Sequence, residues 1–202
     1  MRVELKYKSN YVQLRQIILN LKMLKKHLNR TVNSIYFDNH NKSNYVDSME
    51  GTVPRKKIRF RWYGLKKIGS YPTGQIEIKR TFPNFRDKKI FKLKKFNLNE
   101  INKQINQTMF PNVNPVCQVT YLREYFENSK GYRMTVDSNI KYYKISNVCA
   151  VQNCYFENSC IAELKVNNDE DYEEISSNFD HLRVRNSKYC NSIEKLYETH
   201  VN

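Results

Sequence analysis

The sequence has little of what characterises disulfide-stapled, zinc-binding or membrane-spanning proteins. Its five cysteines are odd in number and include no CxxC pair, which argues against a disulfide framework and a zinc site. No apolar run approaches the roughly 18 residues of a membrane span, and the start, MRVE, has no signal-peptide h-region. We therefore expect a soluble protein with free thiols in the cytoplasm.

Glycine and proline are also scarce, with five of each, whereas apolar residues make up 40 % and aromatic residues 13 %. This composition is typical of a folded chain and not of a disordered one. The 202 residues contain no linker, internal repeat or low-complexity block. The sequence therefore predicts a single domain over residues 1–202.

Acidic residues are outnumbered by basic ones. The 20 Asp and Glu face 35 Lys and Arg, which leaves a formal charge of +15. Such a surplus predicts a polyanionic partner. Nucleic acid, an anionic membrane and a phosphate compound all satisfy this condition, and composition does not choose among them.

Hydrophobic periodicity predicts a sheet-rich chain with few helices. Residues 1–8 alternate like a strand, and a capping residue at Asn10 followed by apolar residues at helical spacing predicts a helix over 11–28. Further helices are predicted at 97–107, 170–182 and 187–200. Period-two segments predict strands at 33–38, 56–63, 75–81, 116–126, 132–138 and 160–166.

The strand at 56–63 separates charge from apolar residues. Alternate residues of a strand share a face, so Ile58, Phe60 and Trp62 point to one side and a row of cations that includes Arg59 and Arg61 points to the other. The segments 75–81, 132–138 and 160–166 show a similar separation. Cations about 4 Å apart repel by about 1 kcal/mol in bulk water and about 4 kcal/mol at an effective dielectric near 20, so a concave row of them needs an anionic ligand. A flat charged sheet suits nucleic acid, a closed barrel suits a slender anion, and periodicity does not distinguish them.

Seven motifs occur in a family's order: SIYFDN (34–39), RKKIRFRWYG (55–64), GQIEIKRT (74–81), YLREYF (121–126), YRMTVDSN (132–139), AELK (162–165) and NSKYC (186–190). Together they resemble the VTC domain of polyphosphate polymerases. The resemblance implies an α+β fold, an eight-stranded antiparallel β-barrel with flanking helices. This is the triphosphate tunnel fold related to the CYTH-type triphosphatases, in which inward basic residues bind phosphates.

The resemblance also implies a set of site residues. Arg59, Arg61, Arg123 and Arg133 would clamp phosphate oxygens during catalysis, and Glu163 would be the carboxylate ligand of Mn²⁺ or Mg²⁺. The remaining phosphate ligands would be Lys6, Lys79, Lys88, Lys165 and Lys188, with Ser187 as a hydroxyl donor. A shift of one residue would put Lys89 in the place of Lys88.

The implied activity is transfer of the γ-phosphoryl group of ATP to a growing inorganic polyphosphate chain, with orthophosphate or pyrophosphate as primer and ADP as product. No nucleic acid partner is expected, and the four histidines lie outside the motifs, which disfavours a histidine nucleophile.

One alternative is a non-catalytic polyphosphate-binding subunit. Another is a hydrolase of RNA or thiamine triphosphate, which typically has Glu-x-Glu-x-Lys on its first strand, whereas residues 2–6 (RVELK) and 161–165 (IAELK) carry one carboxylate each. A third is a sequence-independent nucleic-acid binder, suggested by the charge and the tyrosines alone.

Overall fold

The computed structural model describes residues 3–64, 71–146, 150–166, 172–173, 175–176 and 179–198. The strands in these ranges are β1 (Val3–Ser9), β2 (Leu24–Asp38), β3 (Arg55–Tyr63), β4 (Tyr71–Thr81), β5 (Arg86–Phe96), β6 (Asn114–Glu127), β7 (Arg133–Ser146), β8 (Ala150–Glu157) and β9 (Cys160–Val166). The α-helices are α1 (Tyr11–Asn20), α2 (Ser43–Glu50), α3 (Leu98–Thr108) and α4 (Lys188–Ile193). A 3₁₀ turn at Asp180–Leu182 and a π-helical turn at Glu194–Glu198 complete the elements. No helix in the described ranges has the length and apolar content needed to cross a bilayer.

The strands form one sheet, with the order β1-β9-β7-β6-β2-β3-β4-β5 and β8 paired to β7. The ladders β1–β9, β2–β3, β3–β4, β4–β5 and β7–β9 are antiparallel. The predicted α+β class with an antiparallel sheet and flanking helices is thus confirmed. The described part of the chain has nine strands where eight were predicted, and its hydrogen-bonded path begins at β1 and ends at β5.

Contacts divide the chain into two compact units. Unit 1 comprises Met1–Thr31, Tyr121–Ile140 and Phe156–Asn186, and unit 2 comprises Val32–Thr120, Lys141–Tyr155 and Ser187–Asn202. Strands β2, β6, β7 and β8 contribute residues to both units. The single domain over residues 1–202 stays a prediction.

The core of unit 1 is formed by α1 and the apolar faces of β1, β7 and β9. Helix α1 begins after Asn10, whose side chain accepts from the Gln13 amide, and it buries Leu14, Ile17 and Ile18. It ends at Asn20, so the predicted helix over 11–28 is wrong beyond that residue.

The helix stops early because the chain turns back at Lys22, which adopts a left-handed backbone conformation with φ 49°. The Met23 amide bonds to the Ile18 carbonyl and the Lys22 amide to the Leu19 carbonyl, which is a Schellman ending. Strand β2 then begins at Leu24. Leu24 and Leu28 continue the helical spacing of apolar residues in the sequence, yet they are 74 % and 86 % exposed.

The core of unit 2 confirms the predicted apolar face of β3. Ile58, Phe60 and Trp62 are almost completely buried, together with the apolar residues of β4, and α3 covers them with Ile101 and Ile105. Trp62 stacks on Phe60 with ring centroids 5.7 Å apart. A side chain at Gly74 would collide with the Phe60 ring, so glycine is required there for this packing.

The sequence did not predict β5, β8 or α2. Strand β5 reads RDKKIFKLKKF, in which lysines on both faces obscure the period of two. Helix α2 contains few strong helix formers, but the Asp38 carboxylate accepts from the Asn44 and Tyr45 amides and Asn39 accepts from the Ser43 amide. The helices predicted at 170–182 and 187–200 lie partly outside the described residues.

A capping box begins α3. The Asn97 side chain accepts from the Glu100 amide at 2.9 Å, and the Glu100 carboxylate accepts from the Asn97 amide at 3.1 Å. We expect Asn97→Ala to lower the free energy of unfolding by about 1 kcal/mol, because the Glu100 amide loses its side-chain acceptor. Urea denaturation measures this. Lys103→Ala, an exposed change within the same helix, is the control, and an equal effect of both variants would contradict a role for the cap.

Candidate functional site

The charged face of β3, β4 and β5 lies within unit 2. Pairing between the strands puts Arg59 opposite Glu77, and it puts Lys79 opposite both Lys57 and Lys88. Lys89 is opposite Ile78, which belongs to the buried apolar face. Lys88, and not Lys89, is therefore the residue of this pair on the charged face.

Glu77 is the counter-charge within this face. Its carboxylate accepts from the Arg59 guanidinium, at 2.8 Å from Nε and again from Nη2, and it lies 3.2 Å from the Lys88 ammonium. Burial alone would raise the pKa of Glu77, but the charges of Arg59 and Arg61, with the Arg59 hydrogen bond and Lys88, lower it to about 2. Glu77 is thus ionised at neutral pH and partly neutralises the row of cations.

Two polar contacts orient the arginines of β3. The buried Arg61 donates from Nε to the Ser34 hydroxyl at 3.1 Å, and Arg59 donates from Nη1 to the Tyr36 hydroxyl at 3.4 Å. The Tyr36 ring stacks on Tyr189, with centroids 5.1 Å apart. Burial would raise the pKa of Tyr36, yet the charges of Arg59 and Arg61 lower it. The arginines are therefore held in place before any ligand binds.

Ser187 and Lys188 lie at the start of α4. The Ser187 hydroxyl oxygen is the helix cap and accepts from the Cys190 amide at 3.4 Å, and it also accepts from the Lys57 ammonium at 2.9 Å. Its proton still allows it to donate one hydrogen bond. Lys188 is the first residue of the helix and is half-buried. Phosphate binding by both residues stays a prediction.

In unit 1, the ladder of β1 and β9 brings two carboxylates and two ammonium groups together. Lys6 is opposite Glu163, and Glu4 is opposite Lys165. The Lys165 ammonium lies 3.1 Å from Glu163 and 3.8 Å from Glu4, while the Lys6 ammonium lies 3.2 Å from Glu4. Burial would raise the pKa of Glu163, but the charges of Lys165 and Lys6 lower it. Glu163 therefore carries a negative charge among cations.

Arg123 is held by a buried partner. Its Nε and Nη2 atoms donate to the two oxygens of Asp137 at 2.6 and 2.7 Å. Burial would lower the pKa of Arg123, but Asp137 raises it, so the guanidinium remains charged. Arg133 is exposed and lies opposite Lys165 on the neighbouring strand.

A pocket of about 500 Å³ within unit 1 contains four of the predicted site residues: Arg123, Arg133, Glu163 and Lys165. We call it the Arg123 pocket. Its wall also includes residues that sequence reasoning missed: Lys26, His27, Arg30, Tyr125 and Glu127. Lys26 and His27 fall within the predicted helix over 11–28, so the sequence did not indicate their position on β2. Tyr125 carried one usable signal, its position two residues after Arg123.

The side chains fit a metal ion only in part. The described residues contain no group of three or more His, Cys, Asp or Glu that could hold an ion. Glu4 and Glu163 are diagonal neighbours in the β1–β9 ladder, and both contact Lys165. Because Mg²⁺ commonly binds one or two carboxylates together with substrate phosphates, this donor set suits an ion shared with a bound phosphate chain.

The model of the VTC domain family matches residues 2–197. The chain belongs to this family. The match extends from β1 to the π-helical turn after α4, so both units are included in the VTC domain. No curated protein matches the chain.

Solved structures show where the fold of this VTC domain recurs. A candidate adenylate cyclase from Bacillus halodurans has a TM-score of 0.56 at 10 % identity, covering 98 % of this chain and 97 % of the other. A candidate adenylyl cyclase from Hippeastrum, described as having dominant triphosphatase activity, has a TM-score of 0.57 at 9 % identity and covers 96 % of both chains. A Pyrococcus horikoshii protein has a TM-score of 0.53 at 13 % identity, covering 96 % and 99 %. The likeness is one of fold: the chain has the triphosphate tunnel fold.

Proposed function

We propose that this VTC domain is an ATP:polyphosphate phosphotransferase. It moves the γ-phosphoryl group of ATP to the end of an inorganic polyphosphate chain and releases ADP. The observation that carries the proposal is the position of the four predicted arginines. Arg59 and Arg61 lie on the charged face of β3 within unit 2, and Arg123 and Arg133 line the Arg123 pocket within unit 1. The family's model matches the chain from residue 2 to residue 197.

Phosphoryl transfer requires positioning and charge neutralisation more than covalent help from the protein. A terminal oxygen of polyphosphate, orthophosphate or pyrophosphate forms a bond to the γ-phosphorus. The bond from that phosphorus to the β,γ-bridging oxygen breaks, and this oxygen leaves as part of ADP. The arginines orient and neutralise the nonbridging oxygens, and no protein nucleophile is required. The lysines that add charge are Lys6, Lys79, Lys88, Lys165 and Lys188.

Mn²⁺ or Mg²⁺ bound to Glu163 and to phosphate oxygens would supply further charge neutralisation.

We also propose a cytoplasmic location. The four described cysteines, Cys117, Cys154, Cys160 and Cys190, are free thiols. Free thiols are the ordinary state of cysteine in a reducing compartment.

One observation favours a second candidate, a tunnel triphosphatase. Strands β1 and β9 each carry one carboxylate, Glu4 and Glu163 respectively. Considered separately, they argue against a two-carboxylate metal site. The β1–β9 ladder nevertheless brings Glu4 and Glu163 together beside Lys165. Two carboxylates from different strands can serve the purpose of a Glu-x-Glu pair on one strand. The similarly folded Hippeastrum protein is described as a triphosphatase.

The test is incubation of the purified chain with ATP and Mn²⁺, with polymer, ADP and orthophosphate measured together. We expect polyphosphate and ADP to rise in step. Orthophosphate equal to ADP with no polymer would instead support the triphosphatase, and polyphosphate binding without turnover would support a non-catalytic subunit. Arg133→Ala should lose activity while the fold remains intact, because Arg133 is exposed.

A further inference from the structure

The Arg123 pocket contains more than cations. Arg123 and Tyr125 are two residues apart on β6, so they share a strand face at a spacing of about 7 Å, and both line the pocket. A ligand whose phosphates contact Arg123 would therefore meet the Tyr125 ring one pleat further along the strand. The face of that ring, unlike its hydroxyl group, offers no hydrogen-bond donor to inorganic phosphate.

Two residues of β2, the neighbour of β6 in the sheet, contact the Tyr125 ring. The His27 ring contacts Tyr125 edge-on, with centroids 5.8 Å apart and an interplanar angle of 74°. The Arg30 guanidinium lies 5.8 Å from the Tyr125 centroid. Lys26 and Glu127, also in the pocket wall, form an ion pair at 2.8 Å and largely neutralise each other.

We propose that Tyr125, His27 and Arg30 form a nucleobase subsite for the nucleoside triphosphate whose phosphates bind at Arg123 and Lys165. Aromatic rings and guanidinium planes stack on bases, and every base has a π-face. The subsite should therefore favour a nucleoside triphosphate over inorganic triphosphate while discriminating weakly among bases. The inference rests on the proposed function only in taking a nucleoside triphosphate as the phosphoryl donor.

A simpler role for the cluster is to cover the exposed start of β2. His27 and Arg30 are exposed, and Tyr125 is half-buried, so a contact between them has some packing value. A structural role of this kind would affect ligands with and without a base equally. The subsite predicts a difference between the two ligands.

The experiment is calorimetric titration of ATP and of inorganic tripolyphosphate into the full chain and its variants. Tyr125→Ala should weaken ATP binding about tenfold, since base–aromatic stacking contributes on the order of 1–3 kcal/mol, and it should leave tripolyphosphate affinity within about twofold. Tyr125→Phe keeps the ring and should behave like the parent. Phe85→Ala, which removes an exposed aromatic residue of unit 2, is the matched control.

Equal weakening of both ligands by Tyr125→Ala, or no weakening of ATP, overturns the subsite. If Tyr125→Ala does not fold, His27→Ala gives the same comparison from an exposed position, with an expected loss of about threefold for ATP alone. Failure of polymer synthesis would overturn the proposed function and leave this binding comparison unaffected. Arg133→Ala removes a phosphate contact and should weaken both ligands.

Discussion

Glu163→Gln is expected to nearly abolish turnover while leaving the binding of metal-free tripolyphosphate intact or tighter. Under the proposed metal role, the amide keeps the shape of the side chain but lacks the charge that would attract Mn²⁺ or Mg²⁺. Removing one negative charge from among Lys6, Lys165 and Arg123 also leaves more net positive charge for phosphate oxygens. The measurements are metal-dependent polymer synthesis, metal-free affinity and melting temperature on the same variant.

The competing account makes Glu163 a structural partner of Lys165, with which it pairs at 3.1 Å. Loss of the pair would then leave cations uncompensated and destabilise the fold. Near-normal specific activity with a large drop in melting temperature would refute the metal role. Glu157→Gln is the matched control, because it removes a buried carboxylate that pairs with Lys8 at 3.3 Å, outside the Arg123 pocket.

Glu77→Gln should lower the free energy of unfolding at pH 7 by about 3 kcal/mol. The pKa of Glu77 falls from 4.5 to about 2 in the folded protein, and each pKa unit corresponds to about 1.4 kcal/mol. The side chain is only 2 % exposed, so solvent screens the interaction weakly. Arg59, Arg61 and Lys88 would each lose their interaction with this carboxylate.

The pH dependence of this loss has a defined sign. A carboxylate with a depressed pKa stabilises the folded state fully above its unfolded pKa, near 4.5, and that stabilisation disappears as pH falls towards 2. The difference between parent and variant should therefore be constant from pH 7 to about 5 and smaller at pH 3. Chemical denaturation at these pH values measures it.

A difference at pH 3 as large as at pH 7 would mean that Glu77 acts through packing and not through charge. Asp87→Asn is the control, because Asp87 pairs with Arg80 on more exposed strand positions and should have a small effect. Tripolyphosphate should stabilise Glu77→Gln more than the parent, since its oxygens replace the missing charge beside Arg59 and Lys88.

Local patterns predicted correctly what depends on a single strand. Alternation in β3 identified Phe60 and Trp62 as core residues and Arg59 and Arg61 as the charged face, because side-chain direction in a strand has a period of two. Periodicity failed where an apolar pattern crossed a turn. The spacing that predicts α1 continues through Leu24 and Leu28, and the left-handed residue Lys22 could not be recognised from that spacing.

The sequence by itself determined the strand faces and the resemblance to a family, because each depends on residue order along the chain. The arginine ligands are predicted from that resemblance. Only the tertiary structure decided which charges meet. Pairing between strands put Glu77 against Arg59, placed Lys88 and not Lys89 on the charged face, and brought Glu4 beside Glu163. Register between strands is set by long-range packing and by turns, so these neighbours cannot be read from any one segment.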